Sequence, residues 1–139
     1  MSELDEIRDD YDAGRLDEIK KDLERFILAH RAQIEAFRTD QQARGLPPLS
    51  DDVAIKFYII RHRTINPVRE IQDQLHEIER EKWIRGVALG HEPDPQQVAL
   101  EWAGRHSAGW RAHRVTVIIY CFDREKDRYV QLLKQPPAA

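Results

Sequence analysis

Apolar residues recur along most of this chain at the three- and four-residue spacing that sets them on one side of an α-helix. Leu4, Ile7 and Tyr11 predict a short first helix over about 3–12, closed by Gly14. Leu16, Ile19, Leu23, Phe26, Ile27, His30, Ile34 and Phe37 keep to one narrow face with charges opposite. That pattern predicts a single long helix over about 15–43. Its seam has coiled-coil character and is long enough to pair with another copy of the chain. Gly45-Leu46-Pro47-Pro48-Leu49 stops it, because neither proline can donate an intrahelical hydrogen bond.

Ser50 is a suitable N-cap for a third helix over about 51–62, with Asp51 and Asp52 at the positive end of its dipole. Val53, Ala54, Ile55, Phe57, Tyr58, Ile59 and Ile60 make this element apolar nearly all round, as a central helix or a buried strand would be. Asn66-Pro67 starts a fourth helix that reaches about Leu89. Val68, Ile71, Leu75, Ile78 and Leu89 share one of its faces, and His76, Trp83 and Val87 another. Two apolar faces imply more than one neighbour, or a partner chain. After the loop at 90–94, Asp94 as cap, Pro95 at the first position and Gln97 at the third predict a fifth helix with a capping-box variant. Val98, Ala99, Trp102, His106, Gly109, Trp110, His113, Val117 and Tyr120 form its face. Ala103, Gly104, Ala108 and Gly109 thin it enough for another backbone to come close.

Residues 115–133 support two readings. Val115 to Phe122 is β-branched and Tyr129 to Leu133 could return as a second strand, giving a β-hairpin. Ile118, Phe122, Tyr129 and Leu133 also fit helical spacing, and an isolated two-stranded hairpin is marginal in water. Helix is therefore preferred. The expected architecture is all-α, a single-domain bundle of four to five helices with 1–13 as a short acidic helix. Residues 135–139 are read as a frayed tail.

Composition narrows the function classes. The chain has 139 residues, 41% hydrophobic and 34% charged, about one domain's worth. One cysteine excludes an internal disulfide and any multi-cysteine zinc site. No apolar run approaches the roughly 18 residues of a membrane span. The start, MSELDEIRDDYD, is acidic where a secretory leader would be basic and then apolar, which sets a cytoplasmic expectation. The net charge of −3 divides into −4 over 1–44, zero over 51–89 and +1 over 90–139. No segment is basic enough to mark a nucleic-acid footprint.

Candidate chemistry is sparse. The glycine-rich phosphate loops, the dinucleotide fingerprint and the nucleophile elbow are missing, so neither an enzyme nor a cofactor is expected. Cys121 lies in an apolar run, where burial makes a thiol inert. His30, His76, His106 and His113 are candidate metal ligands. Two observations weigh against them. His106 and His113 are two turns apart, a rise of about 10.5 Å that one ion cannot bridge on a straight helix. Asp73-Gln-Leu-His76 is the nearest approach to the Glu-x-x-His of di-metal bundles. The competing reading makes these histidines core residues, hydrogen-bonded through one ring nitrogen. Arg61-His62-Arg63 and the arginines of 105–114 offer weak anion or nucleic-acid contacts, or simply complement helix ends. Trp83, Trp102 and Trp110 are more aromatic surface than a thin bundle needs, and tryptophan concentrates at interface hot spots. With Arg111 and Arg114 beside them, they support the leading expectation. It is a non-enzymatic protein-interaction or scaffolding module that binds a protein partner or itself.

Overall fold

The computed structural model describes residues 2–136, which form seven helices and no strand. They are α1 (Glu3–Asp12), α2 (Asp17–Ala29), α3 (Arg31–Ala43), α4 (Asp51–His62), α5 (Pro67–Leu89), α6 (Pro95–Arg124) and α7 (Lys126–Lys134). The all-α class stands. The helix count exceeds the expected four to five for two reasons.

The first is a break in the expected long helix at His30, whose φ of −113° and ψ of 19° end α2 and precede α3. The Phe26 carbonyl accepts from the His30 backbone N–H at 3.0 Å and also faces His30 Nδ1 at 2.9 Å. The Phe26 carbonyl is thus shared between the ladder and the imidazole at the break, and a side chain inserted at the ladder is a recognised companion of helix kinks. No glycine or proline marks the place. The second reason is that 115–133 is helical, so the hairpin alternative is overturned. Val117, Ile118, Cys121 and Phe122 are buried on the end of α6, and Tyr129, Leu132 and Leu133 on α7. That spacing aims β-branched residues at a core from a helix as well as a strand would. Glu125, at φ −131° and ψ 40°, separates the two helices. Of the expected frayed tail, Gln135 and Pro136 follow α7, and residues 137–139 lie outside the described residues.

The described residues fall into two compact units, one built from residues up to Ile65 together with Val115 onward, the other from Asn66–Arg114. The first holds the core. The seam predicted for 15–43 faces inward here: Leu16, Ile19, Leu23, Phe26, Ile27 and Ile34 are buried with Ile55, Ile59, Phe122 and Tyr129. It is therefore taken up by the chain's own α4 and α7 and is not open to a second copy. α2 packs on α7, α3 on α4, and α4 on α7. Ion pairs ring the core, among them Arg38–Asp51 at 2.6 Å, Lys56–Asp123 at 2.6 Å and Arg128–Glu24 at 2.7 Å. The Arg38 guanidinium beside Asp51 holds its carboxyl below the usual carboxylate range, against the opposing effect of burial and with help from Lys134.

Punctuation follows the sequence closely. Ser2 and Asp5 exchange side-chain and backbone hydrogen bonds in a capping box at the start of α1. Asn66 Oδ1 accepts from the Arg69 N–H at 3.1 Å, with Pro67 at the first helical position. Gly90 ends α5 at φ +76°, a region open to glycine without penalty. Ser50 occupies the α4 cap without a side-chain bond to the helix backbone. The capping-box variant expected at Gln97 does not form. Asp94 Oδ1 accepts from the Gln96 N–H at 3.1 Å, while Gln97 Nε2 donates forward to Glu101 at 3.2 Å.

Candidate functional site

The Asn66–Arg114 unit is a hairpin of α5 and the first two-thirds of α6. Its cross-links fix an antiparallel register, because residues rising along α5 meet residues falling along α6. Arg114 meets Asp73 at 2.5 Å and Arg85 meets Glu101 at 2.5 Å, while Lys82 reaches Glu92 in the connecting loop at 3.4 Å. Arg85 also donates through Nε to Glu81 at 3.1 Å. Its guanidinium, and then Gln97, hold the Glu101 carboxyl below the ordinary range.

These contacts reveal an inversion. At 100° per residue, Asp73, Glu77, Glu81 and Arg85 lie on one side of α5, the side that meets α6. Val68, Ile71 and Leu75 lie roughly opposite. The helix therefore turns its charged side toward its hairpin partner and its apolar side outward. Val68 is 65% exposed, Ile71 58% and Leu75 54%. Trp83, Val87 and Leu89 on α5 and Leu100 on α6 are exposed as well. Among the hairpin's described residues only Glu70, Val98 and Trp102 are buried. A monomer rarely leaves contiguous apolar surface of this kind uncovered.

The three tryptophans take different positions. Trp83 is 70% exposed, beside a cleft of about 560 Å³ that Lys82, Val87, His91 and Pro93 help to line. Trp102 is only 6% exposed, so it belongs to the hairpin's interior and not to an outward contact surface. Trp110 is half-buried, with the Arg114 guanidinium 4.6 Å from its ring centre. Arg114 is thus engaged twice within the hairpin, by Asp73 and by Trp110. Arg111 is exposed and makes no ion pair among the described residues. Trp102, His106, Trp110 and His113 face Glu77, Arg80 and Glu81 across an open groove of about 630 Å³. Gly104 and Gly109 have no atom within 4 Å of where a Cβ would stand, so the close backbone approach expected at the thin stretch of α6 does not occur within the hairpin.

The four candidate ligand histidines do not form one site. His30 lies in the first unit, and His76, His106 and His113 lie in the hairpin. Among the described residues no group of three or more His, Cys, Asp or Glu is arranged to hold a metal ion. His106 sits beside Trp102 with ring centres 6.0 Å apart, and His76 is exposed. His30 stacks on Phe26 at 4.2 Å and meets His62 at 5.4 Å, with Tyr58 at 5.8 Å from both. Sequence reading missed His62 as the neighbour of His30 because the two sit on different helices. The acidic side of α5 did carry a signal: Asp73, Glu77 and Glu81 repeat at four-residue steps. Cys121 is buried, in keeping with an inert thiol.

No helix among the described residues is long and apolar enough to cross a membrane. No protein-family model, no curated protein and no solved structure matches this chain.

Proposed function

We propose that this chain is a non-enzymatic protein-interaction module, whose contact surface is the outward side of α5 in the Asn66–Arg114 hairpin. The supporting observation is the exposure of Val68, Ile71 and Leu75 together, with Trp83 and Val87 further along the same helix. Fully covering one such aliphatic side chain stabilises an association by about 1.5–3 kcal/mol, before the entropic costs of binding are subtracted. The first unit, by contrast, puts its long seam away in a core. Of the tryptophans, Trp83 is the most exposed, on the other apolar face of α5. Trp102 and Arg114 support the hairpin from within.

Photo-crosslinking in living cells tests this reading. A photoreactive residue at Leu75 should give a discrete covalent adduct, and the same residue at Glu18, on the first unit, should not. Absence of any adduct at Leu75 would remove the proposed surface.

A further inference from the structure

Resting on that reading, we propose that the occupant of the α5 surface is a second copy of this chain, paired antiparallel through Val68, Ile71, Leu75 and Ile78. These four residues follow the alternating three- and four-residue steps of a two-stranded helical seam. The next seam place is Lys82, engaged by Glu79 and Glu92. The apolar seam ends there, and this fixes the orientation. A parallel, in-register pair would set Lys82 against Lys82 of the second copy. An antiparallel pair about a dyad between Ile71 and Leu75 carries this cation away from the contact. It also matches each apolar residue with another: Ile71 with Leu75 of the second copy, and Val68 with Ile78.

The flanks of the seam favour self-pairing. Next to the dyad they carry Gln72 on one side and Gln74 on the other. In an antiparallel pair each flank position meets its own counterpart, so a charged residue would face a like charge. An amide carries donor and acceptor together and can pair with itself. The hairpin as a whole has eight acids and seven bases, a net charge of only −1, so little charge opposes association. The exposed seam is short, below the area of standard specific interfaces, which sets a weak, reversible dimer. The contact is isologous, so it closes at two copies.

Sedimentation of the full chain across a concentration series tests the pairing. The native chain should convert from monomer to dimer as concentration rises. Gln72→Glu and Gln72→Lys should each weaken the dimer roughly fivefold at low salt, by like-charge contact across the dyad. An equal mixture of the two variants should recover the native affinity, since Glu then faces Lys. Leu75→Glu should weaken the dimer at least about a hundredfold while leaving helical content unchanged. A chain that stays monomeric at all concentrations, or a mixture no tighter than either variant alone, would overturn the dimer. The two proposals fail differently. A Leu75 adduct with a different protein, combined with monomeric sedimentation, removes the second copy and leaves the interaction surface standing; no adduct removes the surface.

Discussion

Tyr129 has no exposed surface, and its hydroxyl oxygen is buried without a hydrogen-bond partner. Its ring stacks on Phe122 with centres 5.7 Å apart, and the Arg128 guanidinium lies 5.5 Å from its centre. Phenylalanine at 129 would keep both ring contacts and remove only the hydroxyl. Leaving a buried hydroxyl unpaired costs about 1–3 kcal/mol, and the packing lost with one oxygen offsets part of that. Tyr129→Phe should therefore stabilise the fold by about 1 kcal/mol, raising Tm by about 3–5 °C for a chain of this size. The direction is informative, because most core substitutions destabilise. The hydroxyl also leaves a signature in alkali. Burial pushes its pKa above the ordinary value of 10.0, so the folded chain holds the proton after the unfolded chain has begun to release it. Stability from this group is complete below about pH 10 and is lost as pH climbs further. Thermal unfolding followed by circular dichroism, for both proteins between pH 7 and 11, measures the two effects. The native chain should lose stability more steeply above pH 10 than the variant. A variant less stable than the native chain by 1 kcal/mol or more would refute the reasoning, since it would mean that the hydroxyl is hydrogen-bonded.

Three further outcomes follow from the structure. Trp102→Ala should cost the hairpin about 3–5 kcal/mol, seen as lost helical signal, whereas Trp83→Ala should change stability by less than about 0.5 kcal/mol. Arg63 holds φ +71° at the end of α4, so Arg63→Gly should stabilise by about 0.5–1 kcal/mol in chemical denaturation. Asp51 titrates below its usual value beside Arg38 and Lys134, so its contribution is present at neutral pH and lost as pH falls through the acid range; Asp51→Asn should lower stability at pH 7 and flatten the acid limb of a pH–stability curve.

Much of the fold is legible from local chemistry. Asn66-Pro67, Gly45 and Gly90 punctuate the chain through rules that hold within a few residues, and the element boundaries they imply are those observed. The break at His30 is different. There the His30 ring shares the Phe26 carbonyl with the backbone, which leaves no trace in the apolar pattern because His30 keeps its place on the seam. In the same way, periodicity groups Val68, Ile71 and Leu75 on one face of α5 without saying where that face points. The outward choice depends on Asp73, Glu81 and Arg85 finding Arg114 and Glu101 on another helix. A stripe of apolar residues reads as core by default, and here the charged stripe took the inner position. The pairing of His30 with His62 is likewise a matter of how two helices cross. Residues 115–133 were ambiguous because β-branched side chains suit either element. What decided the matter is that α6 and α7 bury one helical face against α2 and α4, with no strand among the described residues to complete a sheet.

The central claim is that the outward face of α5 is covered when the protein works. Hydroxyl-radical footprinting, run in intact cells and on dilute purified chain, measures that cover directly at each side chain. Val68, Ile71 and Leu75 should oxidise several-fold more slowly in cells, while Phe57, exposed on the first unit, should oxidise equally in both. Equal rates at Val68, Ile71 and Leu75 in the two settings would contradict the account.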